Sequence, residues 1–277
     1  MAARQSGPTS RFDFSSIGGI VLATAGILGG LILEGGEIAD VRQATAALIV
    51  LGGTLGAVMV TTPSAILLSA LRKLRVVFFE PQYSPDNIIG DILHYASRAR
   101  RNGIVSLEGE LNGIEHPFLR KALALGVDGT DVQELRKIME AELDTEEQQG
   151  RAEAKVYEAA GGYAPTVGII GAVLGLIQVM KHLEDISLVG HGIAVAFVAT
   201  VYGVGVANLF FLPAGQKLKA RLACSIRMKE LMLEGALSII QGMHPNVIEK
   251  KLEAFVGGTQ DNSGKPQERK SSRAKAA

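Results

Sequence analysis

The sequence predicts an all-α integral membrane protein with four transmembrane helices and a helical cytoplasmic domain. Its composition is the first sign, because 47% of the residues are apolar and only 20% are charged. The second sign is that four stretches contain no Asp, Glu, Lys or Arg, and each reaches the roughly 20 residues that cross a bilayer. These stretches are Phe14–Leu33, Gln43–Leu71, Ala159–Met180 and Ile186–Gln216.

The distribution of basic residues predicts the orientation of the four spans. All but two of the 28 Lys and Arg residues lie in the N-terminus, the middle segment or the tail. The exceptions, Arg42 and Lys181, lie in the two short connections. Because basic residues accumulate on the cytoplasmic side, we expect both termini and the middle segment in the cytoplasm and the two connections outside. The first span lacks a small-x-small cleavage pattern and is expected to remain as an anchor.

These patterns divide the chain into ten segments with alternating locations. Transmembrane helices are expected at 14–33, 43–63, 159–180 and 191–212, with periplasmic loops at 34–42 and 181–190. The cytoplasmic segments are an N-terminus at 1–13, a helical domain at 64–158 and a helical tail at 213–256. The last segment, 257–277, is rich in Ser, Lys and Arg and is expected to be disordered.

Within the domain at 64–158, helix signals follow one another and no strand is expected. Pro85 and Pro117 are typical first residues of helices, and Gly103 and Gly126 are typical of helix ends. Asp131, followed three residues later by Glu, predicts the N-cap of a long helix that runs on into the third span.

Several classes of function find no support in the sequence. The net charge is zero, so nothing indicates nucleic-acid binding. A single cysteine, Cys224, excludes an internal disulfide and a Cys-based zinc site. A P-loop, HExxH and Gly-x-Ser-x-Gly are all absent, so we predict no enzyme, no catalytic residues, no metal and no cofactor.

The spans lack the charge that ion pumps and carriers normally place inside the membrane. If the chain conducts an ion, an ionisable group is therefore expected from a partner. Thr200 is a polar candidate, although Thr hydroxyls commonly bond to their own helix. His191 lies at the outer edge of the fourth span, where an interfacial position is favoured over a relay.

Small residues and prolines in the spans leave two interpretations open. Pairs of small residues recur at four-residue spacing, which favours close helix packing, either within the chain or between subunits. They are Gly26 and Gly30, Gly52 and Gly56, Gly171 and Gly175, and Ala199 and Gly203. Pro165 and Pro213 either mark local bends or act as hinges.

Three stretches carry a family resemblance. Ala164–Leu176 begins Ala-Pro-Thr-Val-Gly, and Ala194–Gly203 leads on to Asn208 and Pro213. Together they resemble the last two spans of the MotA/TolQ/ExbB channel family. The third stretch, Ala99–Gly103 followed by Leu107-Glu108, is similar to the charged cytoplasmic segment of the flagellar branch, MotA. Four spans also match that branch, because TolQ and ExbB relatives have three.

The resemblance implies a stator subunit of the bacterial flagellar motor in the inner membrane. It implies a homopentamer around a dimer of MotB, a single-span subunit that carries the ion-binding Asp. Ion flow would then rotate the pentamer, and its cytoplasmic domains would push on the rotor protein FliG. The expected partners are therefore MotB, FliG, further copies of the chain and membrane lipid, with no nucleic acid.

The resemblance also implies roles for individual residues. Arg100 and Glu108 match the charged pair that meets the rotor, and Arg101 holds the neighbouring basic position. Given the match, Pro165 and Pro213 are expected to take part in ion-dependent conformational change. Thr200 matches the threonine that faces the ion path. Sodium-type relatives usually have Thr at the position of Ala172, so the expected ion is H⁺.

Three other functions remain open from the sequence. The nearest is an ExbB/TolQ-like energiser of envelope transport, which a motility assay separates from a flagellar stator. A self-contained transporter is disfavoured, since neither intramembrane charge nor an inverted repeat is visible. A purely structural membrane scaffold would show no ion flux with any partner.

Overall fold

The computed structural model describes residues 10–81 and 84–257, nearly all of them helical. The chain packs into two compact units. The first unit, called the span unit, comprises Met1–Gln82 and Asp144–Ile226. The second, called the head unit, comprises Tyr83–Leu143 and Arg227–Ala277. Of the segment 257–277, expected to be disordered, Gly257 is the last residue of a helix and residues 258–277 lie outside the described residues.

The helices follow the order expected for a four-span chain. They are α1 (Phe14–Leu33), α2 (Ala44–Thr61), α3 (Ser64–Phe78), α4 (Pro85–Asn102), α5 (Pro117–Val127), α6 (Val132–Lys181), α7 (Ile186–Val206), α8 (Leu212–Ile240) and α9 (Pro245–Gly257). Two 3₁₀ segments occupy Ile38–Val41 and Ile104–Gly113, and a π-helical segment, Ala207–Phe211, joins α7 to α8.

Four helical stretches are long and apolar enough to cross a membrane, which confirms the predicted number of spans. The chain is therefore a multi-pass membrane protein. The expected continuity of the third span with the preceding helix is confirmed, because α6 runs unbroken for 50 residues. The fourth span likewise continues through the π-helical segment into α8. No residue of α1 is buried, so this helix presents apolar side chains on all sides.

The packing of the span unit depends on α3 and α6. The hydroxyl of Tyr157 on α6 donates to the carbonyl oxygen of Ala70 on α3 at 2.9 Å. Burial raises the pKa of Tyr157 to about 12, so the donor stays protonated. Ala154 and Ala160 add small buried side chains to the same cluster. These contacts place α3 directly against the long helix.

The head unit encloses a separate core. Helices α4, α5 and α9 contribute fully buried side chains to it, among them Ile92, Leu119 and Ile248. Gly235 on α8 allows close approach, since a Cβ atom there would lie 2.6 Å from Ile92. At the start of α6, the Asp131 carboxylate accepts from the backbone N–H of Gln133 at 2.9 Å, as its capping role requires.

A short strand appears where none was expected. Ser10–Phe12 pairs antiparallel with Phe79–Pro81, so one strand lies inside the segment 64–158. Each strand has three residues, which is too few for an alternating pattern to be visible in the sequence. The pairing depends on tertiary contact between the residues before α1 and those after α3.

Candidate functional sites

Helices α6 and α7 approach each other backbone to backbone along a line of glycines, here called the glycine seam. A Cβ atom added at Gly203 would lie 2.6 Å from the carbonyl oxygen of Ala164. One added at Gly168 would lie 2.9 Å from the carbonyl oxygen of Ala199, and one at Gly175 would lie 2.8 Å from the nitrogen of Ala196. No side chain larger than hydrogen fits these places without a shift of the backbone.

The seam decides between the two interpretations of the small residues. Gly171, Gly175, Ala199 and Gly203 all contact partners within this chain. By contrast, added Cβ atoms at four other glycines would meet no atom of the described residues within 4 Å; these are Gly26, Gly30, Gly52 and Gly56. The first group therefore packs within the subunit, and the second group faces open space.

Thr200 and Ala172 flank the glycine seam and are both half-buried. The Thr200 hydroxyl donates to the carbonyl oxygen of Ala196 one turn earlier, at 3.3 Å. This long hydrogen bond leaves the oxygen lone pairs free to accept another partner. Ala172 presents only a methyl group. Thr200 thus adds a hydroxyl beside the seam and Ala172 adds only a methyl group, and neither of these two side chains is titratable.

Pro165 lies inside α6 and is half-buried. Its ring cannot donate a backbone hydrogen bond and crowds the carbonyl group four residues earlier, on Gly161. A Cβ atom at Gly161 would lie 2.6 Å from the side chain of Leu212, so α6 also packs closely against the start of α8 there. Pro165 therefore weakens α6 at a point that contacts the other long helix.

Pro213 accounts for the π-helical segment that precedes it. A proline ring clashes with the carbonyl group four residues earlier, here Leu209, and the wider π turn relieves this clash. The Leu212 N–H instead donates to the carbonyl oxygen of Ala207, five residues back. The side-chain amide of Asn208 donates to the carbonyl oxygen of Val204 at 2.9 Å. From the sequence, Asn208 was named only as part of the family resemblance, and this hydrogen bond was not anticipated.

The three residues expected to meet the rotor lie together in sequence on the head unit and are all exposed. Arg100 and Arg101 occupy the last turn of α4, where the helix dipole favours cations. Gly103 then turns the chain with a φ of 81° into the 3₁₀ segment that carries Glu108. Among the described residues, none of the three has an oppositely charged partner within 4 Å. Their charges are therefore available to another molecule.

Two charged residues next to this surface form an ion pair within the head unit. Arg98 pairs with Glu110 at 2.5 Å, so these two residues are not free. Leu107, which directly precedes Glu108 in the 3₁₀ segment, is buried and anchors this segment to the head unit. The structure thus separates an internal ion pair, Arg98 with Glu110, from the three exposed side chains Arg100, Arg101 and Glu108.

A second group of ion pairs in the head unit joins α6, α8 and α9. Arg136 on α6 bonds Glu234 on α8 at 3.2 Å, and Lys251 on α9 pairs with the same carboxylate. Burial raises the pKa of Glu234, but the Lys251 and Arg136 hydrogen bonds and charges outweigh it, so the pKa is lowered. The carboxylate therefore stays ionised and joins three helices.

Sequence reasoning missed a buried ion cluster at the start of the first span. Asp13, 6% exposed, caps α1 by accepting from the Ser16 N–H at 3.2 Å. Arg221 donates to the same carboxylate at 2.8 Å, and Lys217 also bonds it. An Asp that precedes Phe14, two serines and an apolar run is an N-cap signal that could have located Asp13, but the distant basic partners carry no such signal.

A second buried carboxylate, Glu153, was also missed. It is 1% exposed in α6 and binds Lys73 of α3 at 2.9 Å, together with the hydroxyl of Ser69. The amide of Gln149 donates to it at 3.1 Å. Burial raises the pKa of Glu153, yet the hydrogen bonds from Ser69, Lys73 and Gln149 outweigh this and lower it. The ion pair locks α3 onto α6.

Comparison with known proteins agrees with this architecture. The profile of the MotA/TolQ/ExbB proton channel family matches residues 110–231, and that of the motility protein A N-terminal region matches residues 17–101. The chain is 34% identical to motility protein A of Bacillus subtilis over 245 residues, covering 88% of this chain and 91% of the relative. Motility protein A of Helicobacter pylori is also 34% identical, over 244 residues, covering 88% and 95%.

Two solved structures share the fold. The structure of C. jejuni MotAB superposes with a TM-score of 0.84 at 34% identity, covering 88% of this chain and 95% of that one. The flagellar MotAB stator complex of Bacillus subtilis gives a TM-score of 0.81 at 32% identity, covering 90% and 100%. The chain belongs to the MotA/TolQ/ExbB proton channel family and is a MotA-like stator subunit of the bacterial flagellar motor.

Proposed function

We propose that the chain forms a proton channel with a single-span MotB-type partner and converts proton flow across the inner membrane into torque. The observation that carries this proposal is the absence of Asp, Glu, Lys and Arg from the spans. Proton pathways through membranes are normally built on ionisable side chains, so the partner supplies this group as an Asp. The chain then acts as a channel and torque subunit, without catalytic residues, cofactor or metal.

The ion path runs beside the glycine seam. Thr200 is half-buried with free lone pairs, and it orients water or the partner carboxylate. Ala172 adds no hydroxyl that could replace water around a dehydrated cation, which favours H⁺ over Na⁺. Each elementary charge that moves through ~100 mV releases about 2.3 kcal/mol, so a working step uses several protons or a large gradient.

The assembly is a homopentamer around a dimer of the partner, with both termini and the head unit in the cytoplasm. Glycines on α1 and α2 that face open space, such as Gly26 and Gly52, support close approach of other helices in lipid. Pro165 and Pro213 bend the two long helices and allow them to change shape when the partner carboxylate gains or loses its proton.

The head unit delivers torque through its exposed charges. Arg100, Arg101 and Glu108 are solvent-exposed and meet oppositely charged residues of the rotor protein FliG. Such exposed pairs act mainly on registration and encounter rate, as a surface that engages and releases repeatedly requires.

A charge reversal tests this proposal. Glu108→Lys is expected to reduce swimming speed and torque while the amount of membrane-bound chain stays unchanged. The reason is that the new Lys would face rotor residues of its own charge. Glu249→Lys is the matched control, since Glu249 is also exposed in the head unit but lies on α9. Unchanged motility in Glu108→Lys, together with a defect in envelope transport, would contradict the flagellar assignment and favour the ExbB/TolQ-like alternative.

A further inference from the structure

Helix α3 is held at its two ends by two spans: it follows the end of α2, and its own C-terminal end contacts the start of α1. These two span ends lie on the same side of the membrane. At its N-terminal end, only Thr62 and Pro63 separate it from the last residue of α2. At its C-terminal end, the carbonyl oxygen of Phe78 accepts from the N–H of Asp13 at 3.0 Å, and Asp13 caps the start of α1. The 15-residue helix therefore runs along the membrane boundary between the ends of the first two spans.

One face of α3 is covered by protein and the opposite face is not. The covered face includes the buried Ala70 and Val77. The opposite face forms a stripe at helical spacing, here called the lipid stripe, which consists of Leu68, Leu71, Arg72 and Arg75. Leu68 is 51% exposed and Leu71 is 65% exposed. Two leucines and two arginines thus share an uncovered face beside the bilayer.

The arginines of the lipid stripe are distinct from the neighbouring lysine. Lys73 turns to the covered face and pairs with Glu153 at 2.9 Å. Among the described residues, Arg72 and Arg75 have no carboxylate within 4 Å. The Arg75 guanidinium lies 5.7 Å from the centre of the Phe79 ring, which contributes no negative charge. Both arginines are therefore available for an anion.

We propose that the lipid stripe lies on the cytoplasmic surface of the bilayer, with its leucines among the acyl chains and its arginines on anionic phospholipid headgroups. An amphipathic helix with Lys or Arg beside Leu binds membranes in this way. The cytoplasmic leaflet carries the anionic lipids, so the charges are complementary. This inference goes beyond the proposed function, because it requires the membrane orientation but neither the partner nor the rotor.

A protein surface fits the stripe less well than lipid. Another copy of the chain that covered Leu68 and Leu71 would also desolvate two arginines, and burial of a charge without a partner is costly. At the bilayer surface the long arginine side chains reach the phosphates while the leucines remain in the apolar layer.

Because the chain has no tryptophan, a single introduced Trp reports on this contact alone. Leu71→Trp in the full chain would be reconstituted into vesicles of phosphatidylcholine and phosphatidylglycerol, with bromine on the acyl chains of one lipid or the other. Leu68→Trp is the second probe position. Val105→Trp is the control, since Val105 is 63% exposed on the head unit.

Bromine on either lipid is expected to quench the fluorescence of the Leu71→Trp variant, and brominated phosphatidylglycerol is expected to quench more strongly at equal mole fraction. Each arginine contributes about fivefold to the preference for the anionic lipid. Adding Arg72→Gln and Arg75→Gln should remove the preference while quenching by brominated phosphatidylcholine persists. Val105→Trp should be quenched by neither lipid.

Two results would overturn the proposal. Equal quenching by both lipids, unchanged by the arginine substitutions, would show that the stripe touches the bilayer without binding anionic headgroups. Lack of quenching at both Leu71→Trp and Leu68→Trp, in chains that elute as a single species, would place the stripe against protein instead.

Discussion

Single glycines control how closely α6 and α7 approach each other. At Gly203 the methyl group of an alanine would lie 2.6 Å from the carbonyl oxygen of Ala164, and a backbone atom cannot turn away as a side chain can. Gly203→Ala is therefore expected to cost about 1–3 kcal/mol of unfolding free energy, the usual penalty of overpacking. The midpoint of thermal unfolding in detergent measures this loss.

Gly205→Ala is the matched control, two residues further along the same helix. An added Cβ atom there would meet no atom of the described residues within 4 Å, and alanine favours a helix over glycine. Gly205→Ala should keep or raise the unfolding midpoint. Equal losses in the two variants would contradict the close approach at the glycine seam.

The buried carboxylate of Asp13 makes stability depend on pH. Its hydrogen bond from Lys217, aided by Ser15 and Ser16, lowers the pKa of Asp13 well below its ordinary value of 3.8 despite the opposing effect of burial. A lowered pKa stabilises the folded chain above the ordinary pKa, and this contribution disappears as the pH falls through 3.8 towards the folded value. At neutral pH the contribution is complete.

Asp13→Asn is expected to lower the unfolding free energy by about 3 kcal/mol at pH 7, because Arg221 is left buried without its counter-ion. The difference between wild type and variant should shrink below pH ~4 as the wild-type carboxylate takes up a proton. Chemical unfolding in detergent at several pH values measures both quantities. Glu249→Gln, on the exposed face of α9, should change neither, and a constant difference at all pH values would contradict the role of Asp13.

At the scale of helices, the π-helical segment at the end of the fourth span has a local cause. Pro213 forces the π-helical segment, and Asn208 caps the carbonyl group of Val204 there. The neighbouring α7 and α8 are α-helical, so the change in the hydrogen-bond pattern is confined to the five residues of this segment. A change of shape in the long helix would therefore occur at this segment.

Pro213→Ala is expected to restore a backbone donor and let the π-helical segment relax to an α-helix. If the segment takes part in coupling, motor torque should fall markedly at an unchanged level of the membrane-bound chain. Pro117→Ala is the control, since Pro117 begins α5, where proline is tolerated. Full torque in Pro213→Ala would exclude a coupling role for the π-helical segment.

At the scale of the whole molecule, four spans without charge make the chain an incomplete channel. We expect the purified chain to show no proton flux in vesicles by itself, and flux to appear when a MotB-type partner with its Asp is present. A pH-sensitive dye inside the vesicles measures this. Replacing the partner Asp with Asn should abolish the flux again.

The same measurement distinguishes the ion. Flux driven by a pH gradient should persist when sodium is replaced by potassium, since Ala172 provides no hydroxyl for a dehydrated cation. Proton flux by the chain alone would contradict the requirement for a partner and revive a self-contained transporter. Strict dependence on sodium would contradict the assignment of H⁺.

Much of the fold followed from local signals. Four charge-free runs predicted four spans, because helices of soluble proteins rarely lack charged residues over such a length. Pro and Gly marked the ends of α4 and α5, because proline restricts the backbone and glycine frees it. The pair of three-residue strands and the ion clusters at Asp13 and Glu153 were not predictable in this way. Each joins residues far apart in the chain, and one sequence does not show which distant residues meet.

The residues of the candidate sites divide in the same manner. Composition determined that the spans lack an ionisable group, and residue identity determined that Pro213 would disturb its helix. Tertiary structure alone decided that Gly171 and Gly175 face α7, that Gly26 and Gly52 face open space, and that Arg72 shares a stripe with Leu71. The physical reason is that spacing along a helix defines its faces, whereas the neighbour on each face depends on how the other helices pack.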